Sequence, residues 1–117
     1  MSRRGHERAG RRAETVAALY LRLKGFRILA RRFACHVGEV DLIARRDDLL
    51  LFVEVKLRAS TATALEAVGR HQQERIARAA AHFLQRQPRL AGLAQRFDLI
   101  AITPWRWPLH LTDIWRP

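Results

Sequence analysis

An α/β (α+β) fold, with a central mixed sheet of about five strands flanked by helices in the order αβββαββ, is predicted by three features of this chain. Two segments carry apolar residues at helical spacing, one through Ala13, Val16, Ala17, Tyr20 and Leu23, the other through Ile76, Ala79, Ala80, Phe83 and Leu84. Between them, "EVDLIARRDDLLLFVEVKLR" reads as a strand, a polar turn and a second strand. After the second helical segment comes "RFDLIAIT", a run of buried-strand character, then a short final run. Strands interleaved with helices in this way call for a sheet covered by helices.

The first helix is expected over roughly Glu7–Lys24, and Gly25 ends it in the left-handed position that suits glycine. Glu14 lies about 100° around the helix from Ala13, at the edge of the apolar stripe, where it can face a cleft as readily as water. Phe26–Cys35 is the first strand, rich in arginine and placed nearer the sheet edge. Gly38 opens the second, with Val40, Leu42 and Ala44 expected on one face and Glu39, Asp41 and Ile43 on the other. Arg45–Asp48 is a polar turn, so the third strand, about Leu49–Leu57, returns as a hairpin. On it Leu51, Val53, Val55 and Leu57 share a face, opposite Phe52, Glu54 and Lys56.

"RASTATALEAVG" lacks strong periodicity and reads as a mobile loop. The second helix covers about Arg70–Gln87, its polar side lined by Arg70, Arg75, Arg78, Gln85 and Arg86, and Pro88 stops it. Arg96–Thr103 and about Leu109–Trp115 supply the last two strands. With no repeat, low-complexity tract or internal boundary, residues 1–117 are expected to form one domain, with a basic stretch over about 1–9 that need not be fixed.

Half of the residues are apolar and the formal charge is +11, which favours a polyanionic partner, nucleic acid before an anionic membrane. The one cysteine, Cys35, excludes an intrachain disulfide and fits a reducing cytosol. No apolar run approaches the roughly 20 residues that span a bilayer. "MSRRGHERAGRR" has the paired arginines of an export signal without an apolar region after them, and Glu7 and Glu14 argue against a transit peptide. A cytoplasmic, soluble protein with no membrane partner is expected. His6, His36, His71, His82 and His110 lack metal-ligand spacing, and no phosphate loop, dinucleotide fingerprint or nucleophile elbow is present, so no small-molecule cofactor is expected. Trp105, Trp107 and Trp115 are read as closing the core or forming a self-association patch, in preference to stacking on bases.

The chemistry concentrates in the hairpin. Glu54 and Lys56 project side by side from one face of a strand, about 7 Å apart, and Asp41 on the neighbouring strand can join them. Two carboxylates in a partly buried site repel. A divalent cation such as Mg²⁺ (or Mn²⁺) resolves that conflict, since it takes one or two carboxylates and completes its shell with water and phosphate oxygens. Lys56 is one of only two lysines in an arginine-rich chain, and a compact ammonium suits a phosphate beside a metal better than a planar fork. An ordinary surface pair of Glu54 with Lys56 would instead contribute ~0–1 kcal/mol and do nothing more.

"GEVDLIA", "LLFVEVKLR", "AVGRHQQERIARAAAHFL" and "RFDLIAI" resemble, in order, the blocks of the YraN-type family of small bacterial nuclease-like proteins. That family is similar to archaeal Holliday-junction resolvases and looks like a branch of the PD-(D/E)XK restriction-endonuclease-like superfamily. The resemblance implies a restriction-endonuclease-like fold, with Asp41 and Glu54 as metal-binding acids, Lys56 as the catalytic lysine and Glu14 as an additional catalytic acid on the first helix. Glu39 and Asp98 match family positions: Glu39 shares a face with Asp41 and would support it from behind the metal ligands, and Asp98 is an acid satisfied in the core. Val40 stands where the superfamily has its Pro, Gln72 where a Lys is common, and Arg32 where an Asn is common.

The expected function is therefore a Mg²⁺-dependent phosphodiesterase, an endonuclease-like enzyme acting on DNA, branched or damaged DNA included. Arg70, Arg75 and Arg78 would bind its phosphate backbone without reading sequence. An inactive nucleic-acid-binding module, and an RNA- or ribosome-associated basic protein, are the alternatives. The resolvase resemblance also makes a homodimer plausible.

Overall fold

The apolar runs pair into one five-stranded sheet whose spatial order follows the chain. The computed structural model describes residues 3–117, and their side chains from Ala9 onward. β1 (Arg27–Cys35), β2 (Gly38–Arg46) and β3 (Leu49–Leu57) form an antiparallel meander. β4 (Ala94–Ile102) lies parallel to β3, from Leu49 opposite Ala94 to Leu57 opposite Ile102, and β5 (Leu109–Trp115) returns antiparallel. A parallel neighbour requires a crossover. Here it carries α2 (Thr61–Glu66), α3 (Arg70–Arg86) and a 3₁₀ turn at Pro88–Leu90. The mixed sheet with flanking helices is the expected architecture, compatible with a restriction-endonuclease-like fold, with α2 as an addition.

That short helix replaces the loop expected there. Ser60 accepts from the Thr63 amide while the Thr63 hydroxyl accepts from the Ser60 amide, a reciprocal cap that fixes the first turn. Ala64 and Val68 then bury against Leu99 and Ala101 of β4. Six residues are too few to show a period in the sequence, so packing and the cap decide the outcome.

α1 (Arg3–Leu23) begins earlier than expected and takes in most of the basic stretch. It ends as predicted: Gly25 has φ +89°, the Phe26 amide donates to the Leu21 carbonyl at 2.9 Å and the Gly25 amide to that of Arg22 at 3.0 Å. Its buried stripe is turned by about one residue from the expected one. Ala13, Glu14, Ala17, Ala18 and Leu21 face the sheet, whereas Val16 and Leu23 are exposed. Small alanines let the helix approach the strands closely, and the turn carries Glu14 inside with them.

Helices cover both faces. α1 packs with Leu42, Ala44, Leu51, Val53 and Ile100. α3 packs on the other face, where Ile76, Ala79, Ala80 and Phe83 meet Ile43, Leu50, Phe52 and Phe97. Gly38 is where α3 touches the β1–β2 hairpin: a Cβ there would lie 1.9 Å from the Arg75 carbonyl oxygen. Trp115 packs on Phe97, with ring centroids 4.3 Å apart and the planes tilted by 35°, and so closes the core, one of the two roles expected of it.

The alternation expected along β2 fails at one residue. Val40 packs with Ile43 on the α3 face, while Leu42 and Ala44 point to α1. The pairs Arg31–Leu42 and Phe33–Val40 bracket the break and place Arg32 across from Asp41. Arg32 has φ +52°, a left-handed turn that lets both strands change face together. Asp41 sits at this kink, where β2 leaves β3.

Candidate active site

Regular pairing of β2 with β3 runs from Arg46–Leu49 to Leu42–Val53. Beyond it the Asp41 side chain takes over: its Oδ2 accepts the Val55 amide at 2.8 Å. The carboxylate thereby replaces a ladder carbonyl and is fixed by backbone. Glu54, next to Val55 but on the α3 face, is 3% exposed and within hydrogen-bonding reach of Asp41. Lys56 Nζ lies 3.4 Å from Glu54 Oε2, and the Gln72 side-chain amide on α3 donates to the same oxygen. The structure thus brings Asp41, Glu54 and Lys56 together.

The electrostatics of this trio are unbalanced. Burial pushes the Glu54 carboxyl up from 4.5 to about 9, hydrogen bonding and repulsion from Asp41 add to the rise, and Lys56 pulls only partly the other way. Gln72 contributes no charge. A buried carboxyl beside a second carboxyl, with one ammonium 3.4 Å from it, keeps its proton well above the usual carboxylate range.

Those donors fit a small hard cation. Two carboxyl groups are what Mg²⁺ takes from a protein when water and phosphate oxygens supply the remainder of its shell. Asp41 and Glu54 would hold it. Among the described residues no third histidine, cysteine or acid joins them.

Glu14 reaches the neighbourhood from α1. It is buried, with Arg32 Nε 3.0 Å from Oε2 and Arg31 Nε 3.4 Å from Oε1. Together with Gly10, Arg11, Arg32, Ala34, Glu39, Val40, Asp41 and Val55 it lines a groove of about 450 Å³. Asp41 is the shared member, facing the groove and touching Glu54 behind it. Glu39 is exposed on the rim and lies 3.7 Å from Arg75.

The three arginines expected to hold phosphates do not form one stripe. At 100° per residue Arg70, Arg75 and Arg78 spread over about 140° of α3. Arg70 and Arg78 are exposed, whereas Arg75 faces Glu39. Asp98 is a core acid with its partners supplied: Arg96 grips it with two 2.9 Å bonds, His110 Nε2 lies at 2.7 Å and the Asp113 amide donates at 2.9 Å. These contacts outweigh burial and hold its carboxyl below the usual range. Lys24 Nζ lies 2.8 Å from His110 Nδ1, so the second lysine belongs to this network and not to the hairpin site.

Two residues of the site had little warning in the sequence. Arg31 has the sequence context of any surface arginine on an edge strand. Gln72 differs from the lysine common at its position, and that position is where α3 meets Glu54. Among the described residues no helix is long and apolar enough to cross a membrane.

Residues 13–102 match the family described as Uncharacterised protein family UPF0102. A UPF0102 protein of Parvibaculum lavamentivorans is 54% identical over 110 residues, covering 94% of this chain and 83% of the relative. The UPF0102 proteins mlr4633 of Mesorhizobium japonicum and amb4503 of Paramagnetospirillum magneticum are 52% and 51% identical, over 96% and 97% of this chain and 90% and 93% of their own lengths. With three quarters of its residues inside the matched region and relatives this similar along nearly its whole length, the chain belongs to the UPF0102 family.

Proposed function

We propose that this chain is a Mg²⁺-dependent phosphodiesterase, an endonuclease-like enzyme acting on DNA. The observation that carries the proposal is the Asp41–Glu54 pair, half-buried Asp41 against buried Glu54, with the Glu54 carboxyl pushed up to about 9 by burial first and by Asp41 second. When bound, a divalent cation supplies Lewis-acid polarisation of the scissile phosphate and a nucleophile at neutral pH. Asp41, fixed by the Val55 amide, and Glu54, fixed by Gln72, orient their oxygens before any ligand arrives. Lys56, its side chain 17% exposed beside them, places Nζ to meet negative charge as it develops on phosphorus. Glu14 adds a carboxylate oxygen to the groove, its orientation set by Arg31 and Arg32. Arg11 on the groove wall, with exposed Arg70 and Arg78, offers the phosphate backbone contacts that carry no sequence information.

Asp41→Ala, Glu54→Ala and Lys56→Ala should each lower Mg²⁺- or Mn²⁺-dependent cleavage of DNA by about a hundredfold or more. Gel-shift affinity for the same DNA should hold. Cleavage at wild-type rate in all three variants would remove the mechanism.

A second reading, a nucleic-acid-binding module without catalysis, draws on Gln72. A neutral amide stands there where the family commonly offers a cation, and it donates directly to Glu54. Calorimetry separates the two readings, because only the enzyme needs to bind Mg²⁺ at millimolar concentration.

A further inference from the structure

The loop between β4 and β5, "TPWRWP" over 103–108, carries two tryptophans that the core does not use. Trp105 is fully exposed and Trp107 is 81% exposed, which excludes core closure for both and leaves, of the two roles expected, the self-association patch. Trp105 also has φ +63°, a left-handed conformation that a bulky side chain adopts only when its surroundings impose it. Pro104 and Pro108 bracket the pair and stiffen the loop, so little freedom is left to lose on binding. Strain and exposure together present two indole faces to solvent.

The loop stands at the end of the sheet that carries the candidate site. Lys56 pairs with Ala101 and Leu57 with Ile102, and the Arg58 amide donates to the Ile102 carbonyl at 3.2 Å. The loop starts at the next residue, roughly 8 Å from Lys56 by strand rise and spacing. Arg106 lies between the indoles, Arg58 beside the loop base, and no acid occurs from residue 99 to residue 112.

We propose that Trp105 and Trp107 form a stacking platform for unpaired bases, so that the DNA bound at the Asp41–Glu54 site is single-stranded or branched next to the phosphate held there. The inference rests on the nucleic-acid reading above but not on catalysis. Aromatic faces accept any base, and a guanidinium between them adds attraction to the strand. A second copy of this chain fits the patch less well. Two-fold contact would bring Arg106 near its own copy, between molecules that each carry +11.

Binding of fluorescein-labelled oligothymidylate, followed by anisotropy of the label in EDTA and, for the wild type, by tryptophan fluorescence, tests the proposal without any cleavage. The wild type should be quenched. The Trp105→Ala/Trp107→Ala variant should bind about ten- to hundredfold more weakly, and Trp105→Phe/Trp107→Phe should recover most of the loss. Affinity for a blunt duplex, held through phosphates, should change by less than about twofold. The unfolding midpoint should be unaltered, since neither indole is buried. Equal oligothymidylate affinity in wild type and the alanine variant, with duplex binding intact, overturns the platform alone. A concentration-dependent dimer in sedimentation that the alanine variant dissolves, without an oligothymidylate defect, also overturns it. Failure of the wild type to bind either DNA at low salt removes the nucleic-acid reading and this inference with it.

Discussion

Replacing Glu54 with glutamine should stabilise the protein at neutral and alkaline pH, by an amount that grows as pH rises. Glu54 is 3% exposed, and its carboxyl is pushed up from 4.5 to about 9, by burial first and by Asp41 second. A carboxyl that holds its proton more tightly folded than unfolded contributes its full stability below about pH 4.5. That stability is then lost as pH rises toward about 9, at about 1.4 kcal/mol per unit. Between pH 4.5 and 7 the loss is about 3 kcal/mol, a large share of the ~5–15 kcal/mol that holds a domain together. Glutamine keeps the shape of the protonated group and has nothing to ionise.

Urea unfolding of wild type and Glu54→Gln, at about pH 5, 7 and 8.5 in metal-free buffer, isolates this one group because other titrations cancel in the difference. The difference should widen in the variant's favour by a few kcal/mol across that range. Mg²⁺ should narrow it, since a ligand that binds only the folded wild type adds about 2.7 kcal/mol at a hundred times its dissociation constant. A difference that stays constant from acid to alkaline pH would refute the account of Glu54 as a buried, undercompensated acid.

Other residues give further predictions. Asp98→Asn breaks the Arg96 fork and the His110 contact, and should cost about 3–5 kcal/mol in thermal or urea unfolding at neutral pH. Because its carboxyl is held low, that stability is present above the usual carboxylate range and lost on acidification, so the gap should close toward acid pH. Gly38→Ala drives a methyl into the Arg75 carbonyl and should cost about 1–3 kcal/mol or more; a neutral result in urea would mean that α3 can shift away freely. Gln72→Lys places a cation on Glu54 and should lower its raised pKa by about 1–3 units, so the alkaline loss of stability should flatten by a similar number of pH units.

The hairpin was legible because its signals are local. An apolar run with period two, a polar turn and a return run determine β2 and β3, and the spacing of Glu54 and Lys56 places both on one face. What escaped depends on contacts between distant segments. The change of face at Asp41 needs Arg32 on β1 to turn left-handed at the same level, and no residue type in β2 announces that. The stripe of α1 was misjudged because Val16 and Leu23 outscore alanine in hydrophobicity, whereas close approach to the sheet favours Ala13, Ala17 and Ala18. The same rotation decided the fate of Glu14, from a residue at the edge to a buried one.

Three acids are buried among the described residues, Glu14, Glu54 and Asp98, and their partners separate structure from chemistry. Glu14 faces two guanidinium groups, and Asp98 has an arginine fork, an imidazole and an amide. Asp98 is complete, with donors enough for its oxygens, and Glu14 is charge-balanced while still lining the groove. Glu54 has one ammonium, one neutral amide and a second carboxyl as neighbours. A fold that only needed Glu54 for packing would do better with an apolar residue of similar volume, since an acid in this place is tolerated only while it keeps its proton and destabilises the fold as pH rises. Keeping the acid there makes physical sense if something positive joins it. Among the described residues no further cation reaches Glu54, and under the function proposed above a divalent ion that also draws in a phosphate is the smallest addition that would let the acid ionise.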